Sequence, residues 1–198
     1  MALLLDNDIR EIFIAHHQKR YPKTNLLSEV SINNGLAIAD LVSVGIKTAH
    51  CFEIKSDKDK LSRVLEQAKS YDIVFKKISL ITTVSKSVKA AEIIPSYWGI
   101  IAVSKNPQNK VCYLRKALPS PFFSEKIALQ ILWREELINI LTMKNLLEKS
   151  MHRLTRSKLI DFIIESISST EICRLVNDYI LIRRQKYQKN DLIKSNPL

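Results

Sequence analysis

Asp40, Glu53 and Lys55 are the residues whose types and spacing could do chemistry together. They lie in the stretch from Leu36 to Ser56, where Ala37–Val44 and His50–Ile54 read as two strands joined by a hairpin turn at Gly45-Ile46-Lys47. Side chains alternate along a strand, so Glu53 and Lys55 share one face and Ile54 takes the other. A hairpin lays the strands side by side, which lets Asp40 reach that same face. Two carboxylates and an amine beside an apolar sheet are expensive to bury without a use. A divalent metal is the use that fits. Hard carboxylate oxygens suit Mg²⁺ (or Mn²⁺), which keeps several waters and accepts phosphate oxygens as further ligands. A neighbouring lysine can position or deprotonate water and stabilise charge that develops on phosphate. The plainer alternative is a strand-end salt bridge between Lys55 and a carboxylate.

The elements that must position these residues follow from the flanking sequence. Asp6 or Asn7 can cap a helix running to about Lys19, with Ile9, Ile12, Phe13 and His16 on one face. Glu11 lies beside that stripe, either solvated or touching a metal, while Asp8 and Arg10 could form a supporting ion pair. Leu26–Ile32 reads as a strand containing Glu29, and Asn33-Asn34-Gly35 turns it into the Asp40 strand, giving a three-strand meander. Ser56 to Lys60 is a loop of alternating charge. Asp57 and Asp59 read there as solvated, and Lys58 and Lys60 could touch phosphate at the rim of the site. The next helix, about Leu61 to Phe75, places Gln67 and Tyr71 four residues apart and so on one face.

Further on, Ile78–Val84 reads as a strand, Lys86–Ile94 as a helix closed by Pro95, and Trp98–Ser104 as a strand. Lys110–Arg115 is an edge strand after an Asn106-Pro107 turn. Strands separated by helices imply parallel neighbours, hence a mixed sheet flanked by helices. Trp98 reads as core, and Lys86 and Lys89 as solvated. Pro119 and Pro121 mark a boundary, so we expect a core over residues 1–118 and a helical region over 119–198. Helices are predicted there over Ser124–Leu141, Met143–Lys149, Ser157–Ser168 and Ser169–Lys189, with Ser157 and Ser169 or Thr170 as caps. Trp133 reads as packing, and Arg183, Arg184, Lys186 and Lys189 as a basic tail able to add phosphate contacts.

Composition bounds the rest. Hydrophobic residues make up 46% of 198, which excludes a mostly disordered chain, and the net charge of +11 favours a polyanionic partner. Residues 124–198 carry only +4 of that charge, so the larger share belongs to the expected core. Three widely separated cysteines suit neither a zinc site nor a disulfide framework and point to a reducing cytoplasm. Met1–Leu5 is too short for a signal segment, and no run is long enough to span a membrane.

The order Asp40, Glu53, x, Lys55 resembles the PD-(D/E)xK nuclease superfamily, with Ala39 where the motif's proline would stand. Gln67-x-x-x-Tyr71 looks like the QxxxY element of RecB-type nucleases. Glu11 is similar to the early acidic residue of archaeal Holliday-junction resolvases. The segments DIRE (8–11), EIKSDKDKL (53–61), IIPSYWGIIAV (93–103), LRKA (114–117) and LWREEL (132–137) resemble one bacterial and phage family of that superfamily, over nearly the whole chain. The resemblance implies an α/β, restriction-endonuclease-like core with a C-terminal all-helical appendage. It implies a metal-dependent deoxyribonuclease in which Asp40, Glu53 and the Ile54 backbone carbonyl hold Mg²⁺ and Lys55 positions the water. The leaving group would be a 3′ oxygen, giving 5′-phosphate ends. Gln67 and Tyr71 would support the lysine and the DNA backbone, and either Glu11 or Glu29 would be a third carboxylate. DNA is the expected partner, and a homodimer is reasonable. A DNA-binding or scaffold protein that keeps the fold without turnover is the alternative, as is an interaction module with no affinity for DNA.

Overall fold

The structure is a computed structural model that describes residues 3–32, 37–45, 49–106 and 110–194, with side chains as far as residue 182. The turns expected at Asn33-Asn34-Gly35, at Ile46-Lys47 and at Pro107 lie outside the described residues, as do the side chains of Arg183, Arg184, Lys186 and Lys189. Two compact units divide the chain, Met1–Ser124 and Glu125–Leu198.

The first unit opens with α1 (Asp6–Arg20), whose first turn is capped by Asp8 Oδ2 accepting the Leu5 N–H at 3.0 Å. Six strands follow: β1 (Asn25–Ile32), β2 (Ala37–Val44), β3 (Ala49–Lys55), β4 (Lys77–Thr83), β5 (Gly99–Val103) and β6 (Val111–Arg115). They form one mixed sheet in sequence order, with β1–β2–β3 antiparallel, β3–β4–β5 parallel and β6 antiparallel to β5. The parallel crossovers are made by α2 (Ser62–Asp72) and α3 (Val84–Ile93). A mixed α/β sheet is what alternating strand and helix patterns require.

Helix α1 buries Ile9, Phe13 and His17 against Leu41, Phe52, Ile54, Ile81 and Ile101. The buried stripe thus ends on His17 rather than the expected His16, because steps of four residues from Ile9 stay on the helix face that meets the sheet. Strict alternation along β3 sends Phe52 and Ile54 towards α1, and Cys51 and Glu53 to the opposite face. On that opposite face, α2 contributes buried Val64, Ala68 and Tyr71. The end of α2 is pinned by Asp72, which accepts the Tyr97 hydroxyl at 2.6 Å and the Trp98 indole N–H at 2.7 Å. Trp98 is fully buried, as its sequence context predicts.

The first unit extends past the expected boundary at 118. Ser120 N donates to the Lys76 carbonyl, Ser120 Oγ to the Asp72 carbonyl and Ser124 N to the Ile73 carbonyl, which ties residues 120–124 to the first unit.

The second unit is helical throughout its described residues: α4 (Glu125–Leu129), α5 (Arg134–Met143), a 3₁₀ turn at Lys149–Arg153, α6 (Arg156–Ser166) and α7 (Ser169–Lys194). The single helix expected over Ser124–Leu141 is broken. Glu136 folds back to accept the Trp133 N–H at 2.7 Å, starting a new helix, and the Arg156 guanidinium takes the freed Leu132 and Gln130 carbonyls. Trp133 therefore stands at a helix start, 53% exposed, and is not core. The helix expected over Met143–Lys149 is absent as well, since Met143 ends α5 and Asn145 takes a left-handed backbone, φ 55°. Caps move by a residue or two. Thr155 Oγ1 accepts from Lys158 N in place of Ser157, and Ser168 Oγ accepts from Glu171 N in place of Ser169.

Candidate active site

Strands β2 and β3 pair from Val44/Ala49 to Leu41/Phe52, where the pairing ends. Beyond it Asp40 takes over with its side chain. Its Oδ2 accepts the Ile54 N–H at 2.8 Å, satisfying a backbone donor beyond the end of the β2–β3 pairing. The same divergence leaves the Ile38 carbonyl to the Tyr71 hydroxyl, 2.8 Å away. The opening between the strands is where the carboxylates gather.

Glu53 is the most buried of them, with 1% of its side chain exposed, against 11% for Lys55 and 26% for Asp40. Lys55 Nζ donates to Glu53 Oε1, and the Tyr71 oxygen lies 2.8 Å from Glu53 Oε2. Gln67 reaches Tyr71 from one turn earlier on α2, its Nε2 3.5 Å from the hydroxyl. Burial first, and the Asp40 charge second, push the Glu53 carboxyl up to about 7, against the opposing pull of Lys55 and Tyr71. Tyr71 itself is pushed upward by burial and by Glu53. A tyrosine has one hydroxyl proton, yet two oxygens stand 2.8 Å from it. A proton on Glu53 satisfies both contacts, which agrees with its raised pKa.

The structure brings Asp40, Glu53, Lys55, Tyr71 and Gln67 into one cluster. From α1 the residue that arrives is Arg10, not Glu11. Arg10 Nη1 donates to the Asp40 carbonyl at 3.0 Å, Nη2 lies 3.6 Å from Asp40 Oδ1, and Nε holds Asp6 at 3.2 Å. Glu11, the next residue on α1, is exposed. Glu29 is exposed too, with a left-handed backbone at φ 54°, between Ser28 and Val30, which pair with Leu41 and Ala39. Among the described residues, no group of three Asp, Glu, His or Cys side chains converges to hold a metal. Neither proposed third carboxylate joins the pair.

The loop after Lys55 differs from the expected solvated stretch. Asp57 accepts the Leu4 N–H at 2.9 Å and the Thr83 hydroxyl at 2.7 Å, and Asp59 accepts both Ser56 N and Ser56 Oγ. Lys86 donates to the Ser56 and Asp59 carbonyls at 2.8 and 2.5 Å, so it clamps this loop and is not solvated. The Ser56-x-x-Asp59 spacing, typical of a side-chain cap, was the available signal. Thr82 Oγ1 adds a bond to the Lys55 carbonyl at 2.8 Å. Lys58 and Lys60 are exposed on the outside of the loop.

Asp40 and Glu53 are the two carboxylates here that could hold a hard cation. Burial and the Asp40 charge both disfavour the ionised form of Glu53, and a nearby cation would oppose both effects. The Gln67 Oε1 atom beside Tyr71 is buried and has no hydrogen-bond partner, so polar capacity here exceeds what the protein itself satisfies.

No helix among the described residues is long and apolar enough to cross a membrane. The family of bacteriophage P4 protein cII matches residues 4–195. Protein cII of Enterobacteria phage P4 is 24% identical over 215 aligned positions, covering 93% of this chain and 81% of that one. Among solved structures, the SPO1766 protein of unknown function from Silicibacter pomeroyi is similar, with a TM-score of 0.46 and 14% identity over 72% of this chain and 93% of that one. With nearly its whole length matched, the chain belongs to the bacteriophage P4 protein cII family.

Proposed function

We propose that this protein is a metal-dependent deoxyribonuclease with a restriction-endonuclease-like core of the PD-(D/E)xK type. The observation that carries the reading is the convergence of Asp40, Glu53 and Lys55 at the opening between β2 and β3, with Glu53 almost wholly buried. Asp40, Glu53 and the Ile54 carbonyl would hold Mg²⁺ or Mn²⁺. When bound, such an ion supplies positive charge to phosphate oxygens and makes water a better nucleophile at neutral pH.

The remaining roles belong to the chain. Arg10 fixes Asp40 through both its backbone and its carboxylate. Tyr71, backed by Gln67, fixes Glu53. Lys55 positions the attacking water in line with the P–O3′ bond, which breaks to leave a 5′-phosphate and a 3′-hydroxyl. Lys58 and Lys60, and Arg183 and Arg184 on α7, are the side chains we assign to the DNA backbone.

A second reading has its own support. Both Glu53 oxygens already have protein partners, Lys55 and Tyr71, as they would in a binding protein that kept the fold without turnover. Cleavage separates the two. Labelled linear, single-stranded and branched DNAs are incubated with Mg²⁺ or Mn²⁺ and wild type, Asp40→Ala or Lys55→Ala. Cleavage by wild type alone is the expected result. Tight, salt-sensitive binding by all three proteins with no cleavage would establish the binding protein instead.

A further inference from the structure

A second, oppositely charged site lies on the α1 face of the sheet, at the end where β3 and β4 begin. A cleft of about 380 Å³ opens there, and its walls carry Arg20, Lys77, Arg115 and Lys116. No residue lining it is acidic, and none of these four cations forms an ion pair with a described carboxylate. Four positive charges around one concavity repel each other, and that repulsion is relieved by an anion.

The cleft is built rather than incidental. Arg115 is held by the Trp98 and Pro95 carbonyls at 2.7 and 2.9 Å, which fix its guanidinium without neutralising it. Arg20 lies over the rings of both Tyr113 and Tyr21, 5.1 and 5.6 Å from their centroids, forming a flat aromatic and cationic wall. His50 and Ser79, hydrogen-bonded at 2.9 Å, also line the cleft. Ser79 can occupy its position only because residue 99 is glycine, since a Cβ there would stand 2.2 Å from Ser79 Oγ. Tyr113 and Arg115, two residues apart on β6, line the same space.

We propose that this cleft binds a nucleotide, its phosphate monoester held by Lys77, Arg115 and Lys116 and its base against the Arg20–Tyr113 wall. The volume falls among small-ligand pockets, roughly 300–1,000 Å³, and exceeds what a bare oxyanion needs. Stacking on aromatic and guanidinium planes is how bases are held without sequence preference. His50 and Glu53 face opposite sides of β3, so this site does not depend on the nuclease reading.

The test is a calorimetric titration of the full chain, in EDTA, with AMP, adenosine, glucose 6-phosphate and inorganic phosphate. It is repeated with Lys77→Gln, Lys116→Gln and Lys55→Ala, each checked for folding by thermal melting. AMP should bind more tightly than the other three probes. Each cleft variant should weaken it about tenfold or more while Lys55→Ala leaves it unchanged. A 5′-phosphorylated oligothymidine, titrated alongside, distinguishes the sources. Tighter binding than AMP, lost in the same variants, assigns the ligand to a strand end, and weaker binding assigns it to free nucleotide. No binding of AMP, binding no tighter than phosphate or glucose 6-phosphate, or a loss confined to Lys55→Ala would overturn the proposal.

Discussion

Strand β3 carries two contrasting regions three residues apart. Around Glu53 two carboxyl groups gather among protein partners: Lys55 and Tyr71 on Glu53, the Ile54 N–H and Arg10 on Asp40. Around His50 positive charge collects at an open cleft without a carboxylate to balance it, and the imidazole itself is kept neutral. The difference teaches how each region relates to a ligand. Both Glu53 oxygens already have protein partners, so an ion bound at this end of β3 would have to compete with them. An open cationic cleft can stay uncompensated because water screens it.

The sharpest way to break this contrast is to remove one acid. Asp40→Ala should abolish Mg²⁺ binding in a calorimetric titration, whereas Lys55→Ala should retain it. Equal affinities of Asp40→Ala and wild type would remove Asp40 from the proposed metal site.

Packing predictions come next. Gly99→Ala forces Ser79 away from His50 and should destabilise the fold by about 1–3 kcal/mol in urea unfolding. Unchanged stability would mean that Ser79 moves freely, and the cleft would not be fixed in shape. Tyr71→Phe strips a partner from Glu53 and from the Ile38 carbonyl together, and should lower stability by about 1–3 kcal/mol. A loss well below that range would show that water replaces the hydroxyl and that this face is open, like the other.

Protonation distinguishes the regions more gently. Burial first, then Lys77 and His17, lower the His50 pKa from 6.5 to about 3. Between these values the unfolded chain holds a proton on His50 that the native chain lacks. Stability from this group is therefore complete above 6.5 and is lost as pH falls towards 3, by at most about 1.4 kcal/mol per unit. Unfolding curves for His50→Gln should show a shallower acid dependence than wild type, and identical slopes would refute a neutral His50. The smallest effect expected is that of Asp40→Asn. It keeps an acceptor for Ile54 N and removes a like charge beside Glu53, so stability should stay within about 1 kcal/mol of wild type or rise. A clear loss would mean that the Arg10 ion pair outweighs that relief.

Much of the acidic region was legible because its members are close in sequence or periodic. Alternation placed Glu53 and Lys55 on one face, the hairpin brought Asp40 across, and four-residue spacing joined Gln67 to Tyr71. Arg10's reach to Asp40 was less visible, since nothing in DIRE says which of its charges turns towards the sheet. Lys86 was misread because a helix pattern does not reveal that its first turn meets the Ser56–Asp59 loop. The cationic cleft was hidden altogether. Its residues come from the end of α1, the starts of β3 and β4, and the segment from Tyr113 to Ala117, which only the sheet order gathers. The break between α4 and α5 carries no Gly or Pro and depends on Glu136 and the distant Arg156.

The central claim is that the acidic end of β3 does chemistry, and the single-turnover rate of DNA cleavage by Lys55→Ala in saturating Mg²⁺ tests it most directly. Wild type should cleave, and the variant should be slower by about 100-fold or more. Cleavage by the variant at the wild-type rate would contradict the account, because Lys55 would then be only Glu53's salt-bridge partner.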